Sequence, residues 1–449
     1  MRILFLSFHL FLLCSSLAYA KELSLIEAFH EALHFDMSMQ SAKKDNEIQH
    51  AEVDKSSALF YPQARLLMYQ GRSFTDSTTP TTFSGSATTS LYRKYDSKNY
   101  GFTVRQSLFN KSNYAAFNQA REAAYKSDAI LQKENLDLMA RICGSYLDIL
   151  MALDNIEYSE MQKFNMEVQL QSAEERYKNG VGTITEINEA NANLESVVAK
   201  KLEWDNTLEY SRRILETYIG RYPTDVLRLN SQKLPKEKPN PPNIESWINF
   251  SLEKNPEIIA AQHDIEIAAA EIDKSIAGHY PTLDLVASKS FTDSQNDYTI
   301  GSRYNTNAIG LQLEVPIYYG GYVEANTKSS IARLEQSKYE FLKKQLEIRS
   351  NVRKYFHEII NGLSRLDAFE KVVASNEIAL TGTIKGFEAG FRTNIEVLNA
   401  QEKLYMSKHD LSKERYTLIY NRILLKQSAG TLSEQDIQEI SGWLSAKNS

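Results

Sequence analysis

Cysteine is nearly absent from this chain of 449 residues, which has two, at positions 14 and 143. Residues 1–20 have the features of a secretory signal peptide, namely one arginine, an apolar run and small residues at Ala18 and Ala20. We therefore expect the mature chain to begin at Lys21. It then holds Cys143 alone, which excludes a fold held together by intramolecular disulfides.

Long apolar runs are also lacking. After residue 20, no segment approaches the roughly 20 apolar residues that a membrane-spanning helix needs. An exported chain of this kind is either soluble or enters a membrane as β-strands, whose signal in a sequence is much weaker than that of a helix. The composition leaves both possibilities open.

Neither the charge nor the motifs indicate nucleic-acid binding or catalysis. The net charge of −6 argues against a nucleic-acid partner. The sequence has no P-loop, dinucleotide fingerprint or nucleophile elbow, so we expect neither an enzyme nor a bound cofactor. His30 and His34 are spaced to approach the same metal ion, but their helix has the pattern of a packing surface, and we expect no metal site.

Proline is absent from two long stretches rich in Glu, Lys, Gln and Ala, at about 113–177 and 323–387. Each predicts one helix of about 100 Å at 1.5 Å per residue. Such a helix needs neighbours along its whole length, and return helices at about 185–219 and 394–428 would supply one each. In the second stretch the apolar residues step by three and four, as in a coiled coil: Val352, Phe356, Ile359, Leu363, Leu366, Phe369 and Val373.

Apolar and polar residues alternate after each of two Tyr-Pro pairs, which end the helical patterns at Pro62 and Pro281. Period-2 alternation predicts strands with one apolar and one polar face. We expect Ile309, Leu311 and Leu313 on one face and Gln312 on the other. The predicted strands are 62–72, 98–109, 281–291 and 306–318, and the predicted polar loops between them are 73–97 and 292–305.

Four short strands cannot close a membrane barrel alone, because single-chain barrels start at 8 strands. An open sheet edge in lipid would leave backbone groups unsatisfied. Either several chains share one barrel, or the strands form a small soluble antiparallel sheet that is covered on one side. The pattern alone does not decide between them.

The chain contains two versions of the same turn. Gly180 corresponds to Gly390 and Glu186 to Glu396, with the same offset of 210 residues. We therefore interpret the chain as a doubled unit. The predicted divisions are a signal peptide at 1–20, a first repeat at 21–233, a proline-rich linker at 234–243, a second repeat at 244–429 and a tail at 430–449.

The order of these elements resembles the TolC family of outer-membrane factors, over residues 21 to about 444. The likeness is carried by the two turns, the two Tyr-Pro pairs and segments 26–33, 105–109, 247–256, 313–321 and 428–436; the last of these most resembles the protein that gives the family its name. The resemblance implies a mainly α fold with a small β part. Three copies of the chain would share one outer-membrane β-barrel, four strands from each, continued by a long α-helical coiled-coil tunnel through the periplasm of a Gram-negative bacterium.

The resemblance also implies a function and partners. The homotrimer would be a passive channel in outer-membrane lipid that exports drugs, small molecules or proteins. With no ATP site in the chain, the energy would come from an inner-membrane RND or ABC transporter, reached through a periplasmic adaptor protein. The alternative is a secreted coiled-coil adhesin or envelope spacer that transports nothing. Efflux and type I protein secretion both remain open as the export route.

In the family, two aspartates of the second half constrict the pore, at the positions of Glu396 and Asn399. Glu186 and Glu189 are their counterparts in the first half, and each pair lies on one helix face at i, i+3. In a trimer, Glu396 would form a ring of three carboxylates that selects cations, less strongly than the two acidic rings of relatives. The plainer interpretation is a solvated helix face.

The family's closed state is held by bonds between the two turns, whose glycines here are Gly180, Gly182 and Gly390. The resemblance places Thr185 and Glu186 at the first-half lock positions and Arg392 at the basic second-half position. Tyr177 and Phe387 are equivalent, but Phe387 lacks the hydroxyl of the family's second-half tyrosine. We therefore expect Arg392 and an acidic partner to carry more of the closure.

Overall fold

A computed structural model describes residues 22–80, 88–294 and 302–445. The predicted signal peptide, 1–20, lies outside the described residues. The described chain is mainly helical with a small amount of sheet, as the sequence predicts. None of its described helices is long and apolar enough to cross a membrane.

The elements of the described chain follow in sequence order. The helices are α1 (Leu25–Phe35), α2 (Met37–Ser57), α3 (Lys111–Lys178), α4 (Ile184–Ile219), α5 (Ile244–Lys254), α6 (Pro256–Ile276), α7 (Tyr322–Glu388), α8 (Asn394–Ser428) and α9 (Glu434–Gly442). The strands are β1 (Gln63–Pro80), β2 (Thr88–Phe109), β3 (Arg228–Leu229), β4 (Thr282–Ser294), β5 (Ser302–Glu314) and β6 (Leu444–Ser445).

The two predicted long helices are present as α3 and α7, with 68 and 67 residues. The return helices are present as α4 and α8, starting at Ile184 and Asn394. Of the predicted apolar seam on α7, four side chains are buried: Val352, Phe356, Ile359 and Leu366. Burial of such a stripe, rather than intrinsic propensity, supplies most of the stability of a helix in a protein.

Four strands form one antiparallel sheet in the order β1-β2-β4-β5. In the described chain, β1 and β5 are its outer strands and each has one neighbour. β1 and β2 pair from Gln63 opposite Arg105 to Pro80 opposite Thr88, whereas β2 and β4 pair only as far as Ser97 opposite Ser294. The outer part of the β1–β2 hairpin is therefore a two-stranded ribbon.

The predicted loops at 73–97 and 292–305 are wrong at all their described residues, because β1 continues to Pro80, β2 starts at Thr88, β4 ends at Ser294 and β5 starts at Ser302. Residues 81–87 and 295–301 of these loops lie outside the described residues. Polar side chains stabilise these extensions across the strands. The Arg72 guanidinium, for example, donates to both carboxylate oxygens of Asp96, at 2.6 and 3.1 Å. An alternation rule based on apolar residues does not detect a strand with two polar faces. The predicted strand 306–318 is also too long at its end.

The sheet separates its side chains as the alternation predicts. Ile309 lies in a row with Ala64, Val104 and Ala287, and Leu311 and Leu313 follow on the same face. These three β5 side chains are 64–77% exposed in the single chain. Gln312 lies opposite Asp284 on the other face. One face of the sheet is therefore apolar and open.

The chain divides into two compact units. The first contains the described residues up to Ser41, Lys133–Asn255 and the chain from Ile348 onward; the second contains Ala42–Gln132 and Pro256–Glu347. Each unit takes segments from both predicted repeats. The second unit holds the four-stranded sheet, and the first holds the two helical turns.

In the first unit, segments near both ends of the described chain pack against the helices. The buried hydroxyl of Tyr146 on α3 lies 2.9 Å from the carbonyl oxygen of Leu23 and 3.1 Å from that of Leu227. In the predicted tail, β6 pairs with β3, and Lys426 of α8 forms an ion pair with Asp436 of α9. The tail is therefore packed against the helices over its described residues.

Candidate functional site: two equivalent helical turns

The first hairpin turn (residues 175–186) joins α3 to α4, and the second hairpin turn (residues 385–396) joins α7 to α8. Their backbones make the same hydrogen bonds at positions 210 residues apart. The amides of Val181 and Gly182 donate to the carbonyl of Arg176, at 3.0 Å each. Those of Phe391 and Arg392 donate to the carbonyl of Gly386, at 2.8 and 3.1 Å. These bonds satisfy the last carbonyls of each long helix.

Glycine is required where the chain reverses. Gly180 and Gly390 have φ values of 72° and 80°, in the left-handed region that L side chains rarely adopt. Each return helix then starts at a threonine. The hydroxyls of Thr183 and Thr393 accept the amides of Glu186 and Glu396, at 3.2 and 3.3 Å, and so cap α4 and α8.

The second hairpin turn engages both residues predicted to act there, Arg392 and Glu396. Oε2 of Glu396 accepts the Thr393 amide at 2.8 Å, completing a capping box, and Oε1 lies 2.5 Å from the Arg392 guanidinium. The bond from the Thr393 amide, followed by the one from Arg392, lowers the pKa of Glu396 below its ordinary value. The predicted lock residue and the predicted ring residue therefore form a single ion pair within one chain.

The first hairpin turn has the cap but not the ion pair, because Gly182 occupies the position equivalent to Arg392. Glu186 carries the equivalent carboxylate. Its Oε2 is shielded from solvent and has no hydrogen-bond partner in the described chain. The two turns thus have the same backbone hydrogen bonds but differ in whether the glutamate has a charged partner.

An arginine and a glycine occupy opposite positions in the two turns. The first has Arg176 and Gly182 where the second has Gly386 and Arg392. A Cβ on Gly386 would lie 2.8 Å from Cγ of Arg392, so a side chain there would displace that arginine. A Cβ on Gly182 would lie 2.8 Å from the backbone nitrogen of Tyr177 and 3.1 Å from Cβ of Arg176, so a side chain there would strain the backbone of the turn as well.

Arg176 is a residue that the sequence analysis missed. Its guanidinium lies 4.9 Å from the ring centroid of Phe387, within the range of a cation–π contact. Both side chains are half-buried. The signal in the sequence was the exchange itself, because Arg176 stands where the second turn has Gly386.

The other predicted site residues lie apart from these contacts. Thr185 and Tyr177 are exposed, and Glu189 is half-buried. Asn399 is exposed and lines an open groove of about 430 Å³ between α7 and α8. The groove has an apolar part, formed by Phe369, Val372 and Met406, and a polar rim. Behind the turns, Met166, Val197 and Leu398 pack together and join α3, α4 and α8.

The histidines do not form a metal site in the part of the chain that the structure describes, where no group of three or more His, Cys, Asp or Glu could hold a metal ion. Nε2 of His30 instead lies 2.6 Å from Glu434 of α9. This contact ties the first helix to the last described helix.

The sequence matches the profile of the family described as Outer membrane efflux protein over residues 28–221 and 247–431. This chain belongs to that family. The match includes both hairpin turns and all four strands of the large sheet. The family consists of outer-membrane efflux proteins.

Curated relatives are similar over almost the whole chain. The alkaline protease secretion protein AprF of Pseudomonas aeruginosa is 28% identical, covering 93% of this chain and 86% of its own length. The outer membrane protein TolC of Vibrio cholerae is 27% identical, covering 96% of this chain and 95% of its own length. These findings confirm the resemblance to the TolC family.

Solved structures show the same fold. CusC has a TM-score of 0.77 and 18% sequence identity, covering 92% of this chain and 93% of CusC. The outer membrane protein VceC of Vibrio cholerae has a TM-score of 0.73 and 19% identity, covering 90% of this chain and 96% of VceC. Membership of this family and the similarity to TolC place the chain in the outer membrane of a Gram-negative bacterium, with a periplasmic part.

Proposed function

We propose that three copies of this chain form an outer-membrane channel that exports its cargo passively, docked to an inner-membrane RND or ABC transporter through a periplasmic adaptor. The observation that carries the proposal is the four-stranded sheet, which has an open apolar face and one neighbour for each outer strand. In lipid, strands must close into a barrel because unpaired backbone groups are costly there.

A shared barrel satisfies both features of the sheet. β5 of one copy would pair with β1 of the next, giving twelve strands in three copies and leaving no edge. Ile309, Leu311 and Leu313 would then face lipid, and Gln312 would face the lumen. A membrane barrel has this arrangement of an apolar outer band and a polar interior.

The long helices support the tunnel part of the proposal. α3 and α7 are each about 100 Å long at 1.5 Å per residue, and much of their surface in a single chain is exposed. Helices from neighbouring copies would cover it and surround a lumen. The two repeats would supply equivalent hairpins to the wall of this tunnel.

The hairpin turns would form the periplasmic entrance. Gly180, Gly182 and Gly390 would mark its tip, and Glu396 of three copies would form a carboxylate ring. The pairing of Glu396 with Arg392 partly neutralises that ring, so cation selectivity would be weak. The remaining predicted constriction and lock residues, Asn399, Glu186, Glu189, Thr185 and Tyr177, would lie around this entrance.

The groove between α7 and α8 is the surface that we assign to the adaptor. Its apolar part includes Val372 and Met406, which are 45% and 46% exposed. A helical hairpin of the adaptor would place an apolar stripe in such a groove. The relatives support two classes of cargo, since AprF is a protease secretion protein by name and CusC belongs to a cation efflux system.

Planar-bilayer recording of the purified chain tests the proposal, together with crosslinking in detergent. We expect discrete conductance steps and crosslinked trimers. A monodisperse monomer with a folded sheet, or trimers that never conduct, would refute the channel and favour the adhesin or spacer.

A further inference from the structure

We infer that Arg176 and Phe387 form a cation–π clasp that holds the α3–α4 hairpin against the α7–α8 hairpin of the same chain when the entrance is closed. The inference rests on the proposed channel function and adds to it Arg176, as the partner of Phe387. Arg392 and Glu396 bond within the second hairpin turn, whereas this clasp joins the two turns.

The geometry of the pair suits such a contact. The guanidinium carbon of Arg176 lies 4.9 Å from the centre of the Phe387 ring, inside the distance of about 6 Å at which a cation is attracted by an aromatic face. Arginine is favoured in this role because its flat guanidinium is weakly hydrated and stacks on rings. Half-burial of both side chains reduces the screening of the contact by water.

The first hairpin turn holds the backbone of Arg176. The Arg176 carbonyl accepts the amides of Val181 and Gly182, so the residue is held by the turn itself. Gly182 has no Cβ that would push against that of Arg176. The turn therefore fixes the backbone from which the Arg176 side chain extends to Phe387 of the second hairpin turn.

The clasp also gives Phe387 a role despite its missing hydroxyl. A phenylalanine cannot donate a hydrogen bond, but its ring face attracts a cation about as well as that of tyrosine. A contact of this kind is weak enough to be broken when an adaptor binds. It therefore provides closure that a partner can reverse.

The test is single-channel recording of the full chain in planar bilayers, with Arg176→Gln, Phe387→Leu and the double variant. We expect each single variant to raise the ratio of open to closed states by about two- to five-fold per subunit, which corresponds to the usual strength of an exposed cation–π pair. The double variant should show no more than the larger single effect, because both changes remove the same contact.

Two variants serve as matched controls. Phe387→Tyr keeps an aromatic face and adds the hydroxyl found at this position in the family, so it should not raise the ratio of open to closed states above that of the parent chain. Lys178→Gln removes an exposed positive charge from the same last turn of α3, away from the clasp, and should have no effect on opening. Migration as an SDS-resistant trimer reports for every variant whether the assembly has folded.

The outcomes distinguish a failure of the proposed clasp from a failure of the proposed channel function. A parent chain that assembles but never conducts would refute the proposed function. A conducting parent whose single variants do not change opening, or whose double variant shows the full product of the single effects, would refute the clasp. Equal opening by Lys178→Gln and Arg176→Gln would also refute it, since net charge would then explain the result.

Discussion

Replacing Gly386 with alanine should break the Arg392–Glu396 pair, which shapes the second hairpin turn at the proposed entrance, and should so open that entrance without weakening the fold. The added Cβ would lie 2.8 Å from Cγ of Arg392, closer than such atoms approach in proteins, so the arginine must leave its place beside Glu396. Alanine in a helix is also more stable than glycine by roughly 0.5–1 kcal/mol. Gly386 lies in the last turn of α7, so the lower end of that range applies.

Gly382→Ala is the matched control. Gly382 lies one helical turn earlier in α7, and a Cβ there meets nothing within 4 Å. Both variants should therefore keep or slightly raise the melting temperature, but only Gly386→Ala should raise the single-channel conductance and admit large antibiotics to cells. Thermal unfolding and planar-bilayer recording measure the two properties separately.

A second comparison isolates the arginine. In an Arg392→Ala chain there is no Cγ for the new Cβ to meet, so adding Gly386→Ala should change conductance no further. If Gly386→Ala opened the channel equally with and without Arg392, the displacement of that side chain would not be the cause. Equal opening by Gly382→Ala would refute the reasoning as a whole.

The remaining predictions concern the ion pair, the sheet and the core. Arg392→Ser and Glu396→Gln should both raise conductance, and their effects should not add because the two residues share one contact. Because the pKa of Glu396 is lowered, this contact is fully present above the ordinary glutamate pKa, persists below it and is lost only as pH falls through the lowered pKa. Conductance should rise over that fall in pH in the parent chain and stay unchanged in Glu396→Gln. Leu311→Arg should prevent trimer assembly, since arginine at the lipid midplane costs about 2–4 kcal/mol, whereas Gln312→Arg should assemble; equal trimer yields would contradict the assigned faces. Tyr146→Phe should reduce the free energy of unfolding by about 0.5–1.5 kcal/mol, the net value of one hydrogen bond, in denaturant titrations; because the Leu23 carbonyl keeps its bond from the Leu227 amide, a larger loss would point to wider rearrangement.

The long helices were predictable because their signals are local. Proline is absent from both stretches, and each return helix starts at a threonine cap shortly after a left-handed glycine. The ends of α3 and α7 follow from those residues alone. The outer ends of the β1–β2 hairpin were not predictable, because pairs such as Arg72 and Asp96 stabilise a strand only when the partner strand is already in register.

The candidate site shows the same division between local and non-local information. The sequence determined that there are two equivalent turns, where their glycines lie and that Glu396 and Asn399 share one helix face. Only the tertiary structure decided that Arg176 reaches Phe387 and that Oε2 of Glu186 is shielded from solvent with no partner in the described chain. The physical reason is distance along the chain: residues three or four apart on a helix must be neighbours, whereas residues about 210 apart meet only where the packing of four helices brings them together.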